Sequence, residues 1–224
     1  AIIDVPPLER TAWKEIDYIE ISKNYAENGY NFFKPQISWP AEPPRTTAME
    51  LPLVPYVASL LYAIFGFNVI TVRFLTLCAF LLTVFYVFRL GKRELGPLVG
   101  LGAALASAIM PLYHSHRHFL FSEPWVIAFS VMALFHWAEW IDFNRKRDWA
   151  FATAAFSLAV ALKLTPLYML LPLTWIAFRK YRLDLKNYFN YALMIVFSMI
   201  IPFTWYAYAY YLTLNSIDVF CIFH

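Results

Sequence analysis

The sequence has few charged residues and few cysteines, and both shortages exclude large classes of protein. Only 15% of its 224 residues are charged, while 61% are hydrophobic and 20% are aromatic. Soluble domains average about 25% charged and about 45–50% apolar residues, so this composition is typical of an integral membrane protein. The two cysteines, Cys78 and Cys221, lie far apart in the sequence, which supports neither a disulfide framework nor a thiol metal site.

Several sequence signatures are also missing. There is no P-loop, GxGxxG, GxSxG, HExxH or kinase motif. The basic residues stand in short blocks between apolar runs and form no continuous stripe, so the net charge of +3 does not predict nucleic-acid binding. The chain starts without methionine and stops just after a hydrophobic segment. We therefore expect it to be incomplete at both ends relative to a larger protein.

The long apolar runs predict an all-α integral membrane protein, a polytopic helical bundle of about six spans. A spanning helix needs about 20 apolar residues, and six candidates follow residue 69: 70–90, 97–113, 123–141, 149–162, 166–178 and 188–212. Residues 70–224 are thus a transmembrane domain. Residues 1–69 form a preceding loop with two surface-lying juxtamembrane helices, over 13–27 and 51–65, each followed by a glycine.

Basic residues concentrate in every second loop. They are Arg89, Lys92 and Arg93; then Arg145, Lys146 and Arg147; then Arg179, Lys180, Arg182 and Lys186. The positive-inside rule makes these three loops cytoplasmic. Residues 1–69, the 114–121 loop and the Lys163 turn then share the non-cytoplasmic face, which is where we look for a functional site.

Two carboxylates on that face are candidate catalytic residues. Asp17 can act as a general base if its surroundings raise its pKa, or it is an exposed acid paired with Lys14 or Lys23. Glu123 opens a helix in Ser122-Glu123-Pro124. It is either favoured there by the helix dipole alone or belongs to a hydrated functional cavity, as ionisable residues at membrane depth usually do.

Metal ligands and phosphate ligands are the other candidates. His114, His116 and His118 with Glu50 suit a divalent metal such as zinc, although hydrated loop histidines are the commoner outcome. The cations Arg73, Arg117 and Lys163 suit a lipid-linked phosphate, or they extend to lipid headgroups. The aromatic stretch 205–211 is an interfacial belt or a surface on which sugars stack.

The order of these segments resembles the GT-C membrane glycosyltransferases that use polyprenyl-phosphate sugars, in the branch with protein O-mannosyltransferases and lipid A aminoarabinose transferases. Ile16-Asp17-Tyr18-Ile19-Glu20-Ile21 looks like the acidic motif of the family's first outer loop. Met49-Glu50-Leu51-Pro52-Leu53 is similar to its E-K-P-P-L segment, with Leu51 in place of lysine. Phe65-Gly66 with Arg73, Phe121-Ser122-Glu123-Pro124 and the turn over 89–96 resemble later motifs in the same order.

The resemblance implies a function and a localisation. Asp17 would deprotonate or orient an acceptor hydroxyl, which attacks the anomeric carbon of a sugar on a polyprenyl phosphate with inversion. Glu123 would assist, Glu50 would be the likeliest contact of a divalent metal, and Arg73, Arg117 and Lys163 would face the donor phosphate. The site would lie on the periplasmic or outer side of a bacterial inner membrane.

Two other functions stay open. The chain could be a catalytically silent, truncated relative that serves as a structural subunit beside other membrane subunits. A transporter is disfavoured, because the charges gather at one face and no pair of broken helices meets at mid-bilayer.

Overall fold

The computed structural model describes residues 12–38, 45–110, 120–182 and 188–215. Its elements follow one another in the order α1 (Ala12–Glu27), β1 (Gln36–Ile37), β2 (Arg45–Thr46), α2 (Leu53–Phe65), α3 (Val69–Leu95), α4 (Pro97–Ile109), α5 (Glu123–Phe143), α6 (Lys146–Leu162), a 3-10 turn (Thr165–Met169), α7 (Leu170–Tyr181) and α8 (Tyr188–Asn215). The two short strands pair antiparallel, Gln36 opposite Thr46 and Ile37 opposite Arg45. The described residues are therefore almost entirely helical, as expected.

Both predicted juxtamembrane helices and all six predicted apolar segments contain an α-helix. Gly29 and Gly66, which follow α1 and α2, have φ of +96° and +75°, a conformation that favours glycine at a helix end. Three helices of the described residues are long and apolar enough to cross a membrane: Arg73–Leu95, Glu123–Phe143 and Tyr188–Leu214. The expected count of about six spans is not confirmed, because α4, α6 and α7 are shorter.

Large apolar side chains project outward from these helices. Leu98 on α4 is 84% exposed, Leu171 on α7 is 77% exposed and Phe203 on α8 is 76% exposed. Such surfaces would be costly in water but match the hydrocarbon of a bilayer. This exposure agrees with an all-α membrane protein.

The described residues divide into two compact units. The first takes its residues from Ala1–Cys78, Ser115–Ser122 and Trp205–His224, and the second from Ala79–His114 and Glu123–Thr204. The division passes through α3 and α8, each of which supplies residues to both units. The predicted boundary at residues 69 and 70 stays a prediction.

The first unit is built around α1. Tyr18, Ile21 and Tyr25 are buried on this helix, and α1 packs against α2 and β1. Asn24 donates a hydrogen bond to the carbonyl oxygen of Gln36 at 2.8 Å. The Tyr18 hydroxyl donates to Ser122 Oγ at 3.1 Å. These buried bonds fix the rotation of α1 about its own axis.

The core of the second unit lies between α5, α6, α7 and the start of α8. Trp137 and Phe156 are fully buried there, and the Trp137 ring stacks on Trp140 at 4.8 Å. The Trp137 indole donates to the carbonyl oxygen of Leu173 at 3.0 Å. Burying a side chain of this size contributes about 1.5–3 kcal/mol, so this cluster anchors the α5–α6 hairpin.

Glycines allow α3 and α4 to approach closely. A Cβ on Gly100 would lie 2.6 Å from the backbone nitrogen of Lys92 and 2.7 Å from the carbonyl oxygen of Phe88. A Cβ on Gly91 would lie 2.9 Å from the Cα of Gly100. Small residues at such crossings let the helix backbones make contact, which is common between membrane helices.

A chain of polar contacts joins α3, α5 and α6 within the second unit. The Tyr86 hydroxyl lies 3.0 Å from Nε2 of His136, and Nδ1 of His136 lies 2.8 Å from Oδ1 of Asp148. Asp148 is buried, and its other carboxylate oxygen lies 3.7 Å from Nε of Arg147. The imidazole thus bridges two helices through Asp148 and Tyr86.

We expect Asp148→Ala to lower the free energy of unfolding by about 1–3 kcal/mol, because it leaves one His136 nitrogen buried and unsatisfied. Thermal unfolding in detergent, followed by tryptophan fluorescence, measures the loss. Asp148→Asn keeps an acceptor and should lose less. Arg147→Ala, which removes a side chain that is 70% exposed, serves as the control. Equal losses for Asp148→Ala and Arg147→Ala would contradict a bridging role.

Candidate functional site

Asp17, the predicted base, is largely buried on α1. Only 9% of it is exposed, whereas Ile16 beside it is 47% exposed. The alternative of an exposed acid is wrong, because Asp17 is buried. Of its two predicted partners, Lys23 lies 3.7 Å from Glu27, and the side chain of Lys14 lies outside the described residues. A carboxylate held inside a packed unit has a fixed orientation, as a base or a positioning group requires.

The other acid of the same motif, Glu20, anchors the loop that follows α1. Its Oε1 accepts a hydrogen bond from the backbone N–H of Ser38 at 2.7 Å. The Ser38 side chain also contacts Asn24. Glu20 therefore holds the loop against the helix that carries Asp17.

Arg73, a predicted phosphate ligand, lies in a buried ion pair that the sequence analysis missed. Its Nε lies 3.6 Å from Oε1 of Glu15, and the two side chains are 6% and 0% exposed. The alternative in which Arg73 extends to lipid headgroups is therefore wrong. Arg73 stays a predicted phosphate contact, for which Glu15 would be the competing anion.

The surroundings of Glu15 favour a protonated carboxyl. Burial raises the pKa of Glu15 above its ordinary value of 4.5, while the charge of Arg73 opposes that rise. Tyr62 on α2 is also buried, and burial together with the charge of Glu15 raises the pKa of its hydroxyl. Glu15 thus joins α1 to α3 in a dry part of the first unit.

Glu50 is placed by the aromatic end of α8. The Trp205 indole donates to the carbonyl oxygen of Met49 at 3.0 Å, and the Tyr208 hydroxyl donates to the carbonyl oxygen of Phe33 at 2.8 Å. Trp205 is buried. The prediction of an interfacial belt is therefore wrong for Trp205, whose indole supports the loop that carries Glu50.

A metal at Glu50 stays a prediction. Among the described residues, no group of three His, Cys, Asp or Glu side chains stands close enough together to hold a metal ion. The predicted partners His114, His116 and His118 lie outside the described residues, and so does the predicted phosphate ligand Arg117.

Glu123 and Lys163 come together in the second unit. Nζ of Lys163 donates to Oε1 of Glu123 at 3.0 Å, and both side chains are about one third exposed, at 32% and 37%. Glu123 is the first residue of α5 and Lys163 directly follows the last residue of α6. The antiparallel hairpin brings these two ends together. Because Lys163 has three N–H donors, a bound phosphate can share it with Glu123.

The first unit therefore offers a fixed carboxylate, and the second offers an accessible cation held by an acid. A fixed carboxylate can orient or deprotonate a hydroxyl, and an accessible ammonium can stabilise the charge of a leaving phosphate. Each group by itself is of a kind found in transfer reactions with a phosphate leaving group.

Comparisons with known proteins identify a family and a fold for this chain. A family profile described as dolichyl-phosphate-mannose-protein mannosyltransferase matches residues 44–206, more than half of the chain. This range includes Glu50, Arg73, Glu123 and Lys163, while Asp17 precedes it. A search of curated proteins found no match at a significant level.

One solved structure is similar in fold, a crystal structure of ArnT from Cupriavidus metallidurans in the apo state. It aligns with a TM-score of 0.70 and 18% sequence identity over 90% of this chain. The chain spans 37% of the length of that ArnT chain. At this identity the likeness concerns the fold alone, which is that of an all-α membrane protein.

Proposed function

Because the chain belongs to the dolichyl-phosphate-mannose-protein mannosyltransferase family, we propose that it transfers a sugar from a polyprenyl-phosphate donor to an acceptor hydroxyl on the non-cytoplasmic face of a membrane. The family match over residues 44–206 is the observation that carries the proposal. The basic loops support this orientation, since the positive-inside rule predicts that α1 and the Lys163 turn lie opposite the cytoplasm. In a bacterium the site would face the periplasm from the inner membrane.

Asp17 is the proposed base. The acceptor oxygen attacks the anomeric carbon while the bond from that carbon to the phosphate oxygen breaks. Asp17 takes the hydroxyl proton, and the polyprenyl phosphate leaves with the bonding electrons. The anomeric configuration inverts, because attack and departure occur on opposite faces of the sugar. The burial of Asp17 supports this role, since a held carboxylate costs less to orient.

Lys163 is the proposed partner of the leaving phosphate. Its side chain is one third exposed and lies at a helix end, where a lipid-linked phosphate at the membrane surface can reach it. Glu123 holds the ammonium in position before the donor binds. Arg73 and Arg117 are proposed as further phosphate contacts. Glu50 is proposed as the contact of a divalent metal, and none of the steps described above requires that metal.

A transfer assay tests the proposal. The full-length protein in native-lipid nanodiscs is incubated with sugar-labelled undecaprenyl-phosphate mannose and a membrane extract as the acceptor source. We expect label to move from the donor to the lipid or protein fraction. No transfer, with stable co-purification of other membrane proteins, would overturn the proposal in favour of a structural subunit.

Lys163→Met is expected to lower the transfer rate by about 100-fold, since it removes a donor aimed at developing charge. The loss should appear mainly in kcat, because the charge on the phosphate grows as the sugar leaves. Lys146→Met removes an exposed cation at the first residue of α6 and is the matched control. A Lys163→Met rate within twofold of the control would remove Lys163 from the mechanism.

A further inference from the structure

A cavity of about 290 Å³ opens at the other ends of the second unit's helices. It is lined by the last turns of α3, α5 and α7, chiefly by Arg93, Glu94, Asp142, Ile176, Arg179 and Lys180. These residues belong to the basic ends that the sequence predicts to face the cytoplasm. The proposed transfer reaction uses none of them.

Arg93 forms the floor of this cavity. Only 17% of its side chain is exposed. Its Nε donates to Oε1 of Glu139 at 3.1 Å, and the carbonyl oxygen of Ala138 accepts from Nη2 at 2.9 Å. The remaining contacts are with Glu94 and Asp142. The N–H donors of Arg93 are therefore occupied by acceptors within the protein.

Two other cations line the rim and keep donors for a ligand. Nη1 of Arg179 lies 3.3 Å from Oε2 of Glu94, and Nζ of Lys180 lies 3.6 Å from Oδ1 of Asp142. The side chains of Arg179 and Lys180 are 63% and 50% exposed. An arginine side chain carries five N–H donors and a lysine side chain three. Because Arg179 and Lys180 each make one long ion pair, most of their donors are left for a ligand.

The rim also exposes negative charge. Glu94 is 35% exposed and Asp142 is 45% exposed. A purely anionic ligand would gain from Arg179 and Lys180 and be repelled by these two acids. A ligand that carries a phosphate and an ammonium meets a partner for each charge.

The position of the cavity favours a lipid as its ligand. It lies at the ends of apolar helices, and Trp175 and Phe178 on α7 are 60% and 44% exposed. An exposed tryptophan one or two turns from a helix end is typical of the interface of a membrane, and basic pockets between membrane helices bind lipid headgroups. Trp175 and Arg179 are four residues apart, so they share one face of α7.

We propose that this cavity binds the headgroup of phosphatidylethanolamine. The phosphate contacts Arg179 and Lys180 on the rim. The primary ammonium donates hydrogen bonds to Glu94 and Asp142. The choline group of phosphatidylcholine has no N–H and cannot donate these hydrogen bonds. Phosphatidylglycerol carries no positive charge to pair with Glu94 and Asp142.

Lipid titrations with native mass spectrometry test the proposal on the full-length protein in detergent. We expect phosphatidylethanolamine to bind about three- to tenfold more tightly than phosphatidylcholine of the same acyl chains, the size expected of exposed charge-assisted hydrogen bonds. Arg179→Gln should weaken both lipids. Glu94→Gln should remove the preference and raise the affinity for phosphatidylglycerol. Lys146→Gln, a change of the same charge outside the cavity, should alter nothing.

Three results would overturn the proposal. The first is equal affinity of the wild type for the three lipids, and the second is a preference that Glu94→Gln leaves intact. The third is binding of free O-phosphoethanolamine as tight as that of phosphatidylethanolamine, which would assign the cavity to a soluble ligand. Each readout is binding and not transfer. A failed transfer assay therefore leaves this proposal standing, and a failed lipid titration leaves the proposed transfer reaction standing.

Discussion

Asp17→Asn is expected to lower sugar transfer by about 100- to 10,000-fold, the range that a general base contributes. Asparagine keeps the shape and the acceptor oxygen of the side chain but takes no proton from a hydroxyl. Since α1 is held by Glu20 and Asn24, the substitution should leave the first unit folded. The assay with labelled undecaprenyl-phosphate mannose measures the loss, which should fall on kcat.

A control on the same helix makes this result specific. Glu27→Gln removes the same charge from an exposed acid whose contact is Lys23, and it should keep full activity. Asp17→Glu should recover part of the rate, because it restores a carboxylate in a displaced position. If Asp17→Asn and Glu27→Gln transfer sugar equally, Asp17 is not the base.

Local features of the fold were predictable because local chemistry determines them. The ends of α1 and α2 follow from Gly29 and Gly66, whose left-handed backbone suits glycine. The helices follow from apolar runs. The pairing of Glu123 with Lys163 was within reach, because two antiparallel helices of similar length bring the start of one to the end of the other.

The contacts of α1 were not predictable. Arg73 in an apolar segment signals a counter-ion, since a lone charge there is costly. Glu15, Asp17 and Glu20 were all available, however. Successive helical residues are turned by about 100°, so Glu15 and Asp17 lie on roughly opposite sides of α1. Packing of α1 on α2 decides which one meets Arg73, and no local pattern records it.

The contacts of the aromatic end of α8 were not predictable from local sequence either. Tryptophan and tyrosine near the end of an apolar run are typical of a membrane interface. Trp205 is buried because Met49, 156 residues earlier in the chain, accepts its N–H. Only the assembled first unit brings this acceptor to α8.

Breaking the Glu15–Arg73 pair is expected to have the largest effect on stability. Arg73→Gln leaves Glu15 fully buried beside a neutral side chain, and removing one partner of a buried pair costs about 3–5 kcal/mol. Glu15→Gln should cost less, because burial raises the pKa of Glu15 and the fold already favours the neutral form that glutamine imitates. Thermal unfolding in detergent measures both losses.

The double variant distinguishes the interaction between the two charges from the packing that each substitution removes. In Glu15→Gln with Arg73→Gln, neither charge is buried and two amides can contact each other. Its loss should be smaller than the sum of the two single losses, because the second substitution removes the charge that the first left uncompensated. Additive losses would mean that the two side chains do not interact.

The pH dependence gives a second and independent test. Burial raises the pKa of Glu15 in the folded protein, so Glu15 favours folding most below its unfolded value of 4.5 and less as pH rises through the raised value. The charge of Arg73 opposes this rise of the Glu15 pKa, so Arg73→Gln should raise that pKa further. The variant should therefore lie closest to the wild type near pH 4.5 and fall further behind as pH increases. With Gln at position 15 as well, this extra dependence should vanish, whereas its persistence would show that another group titrates.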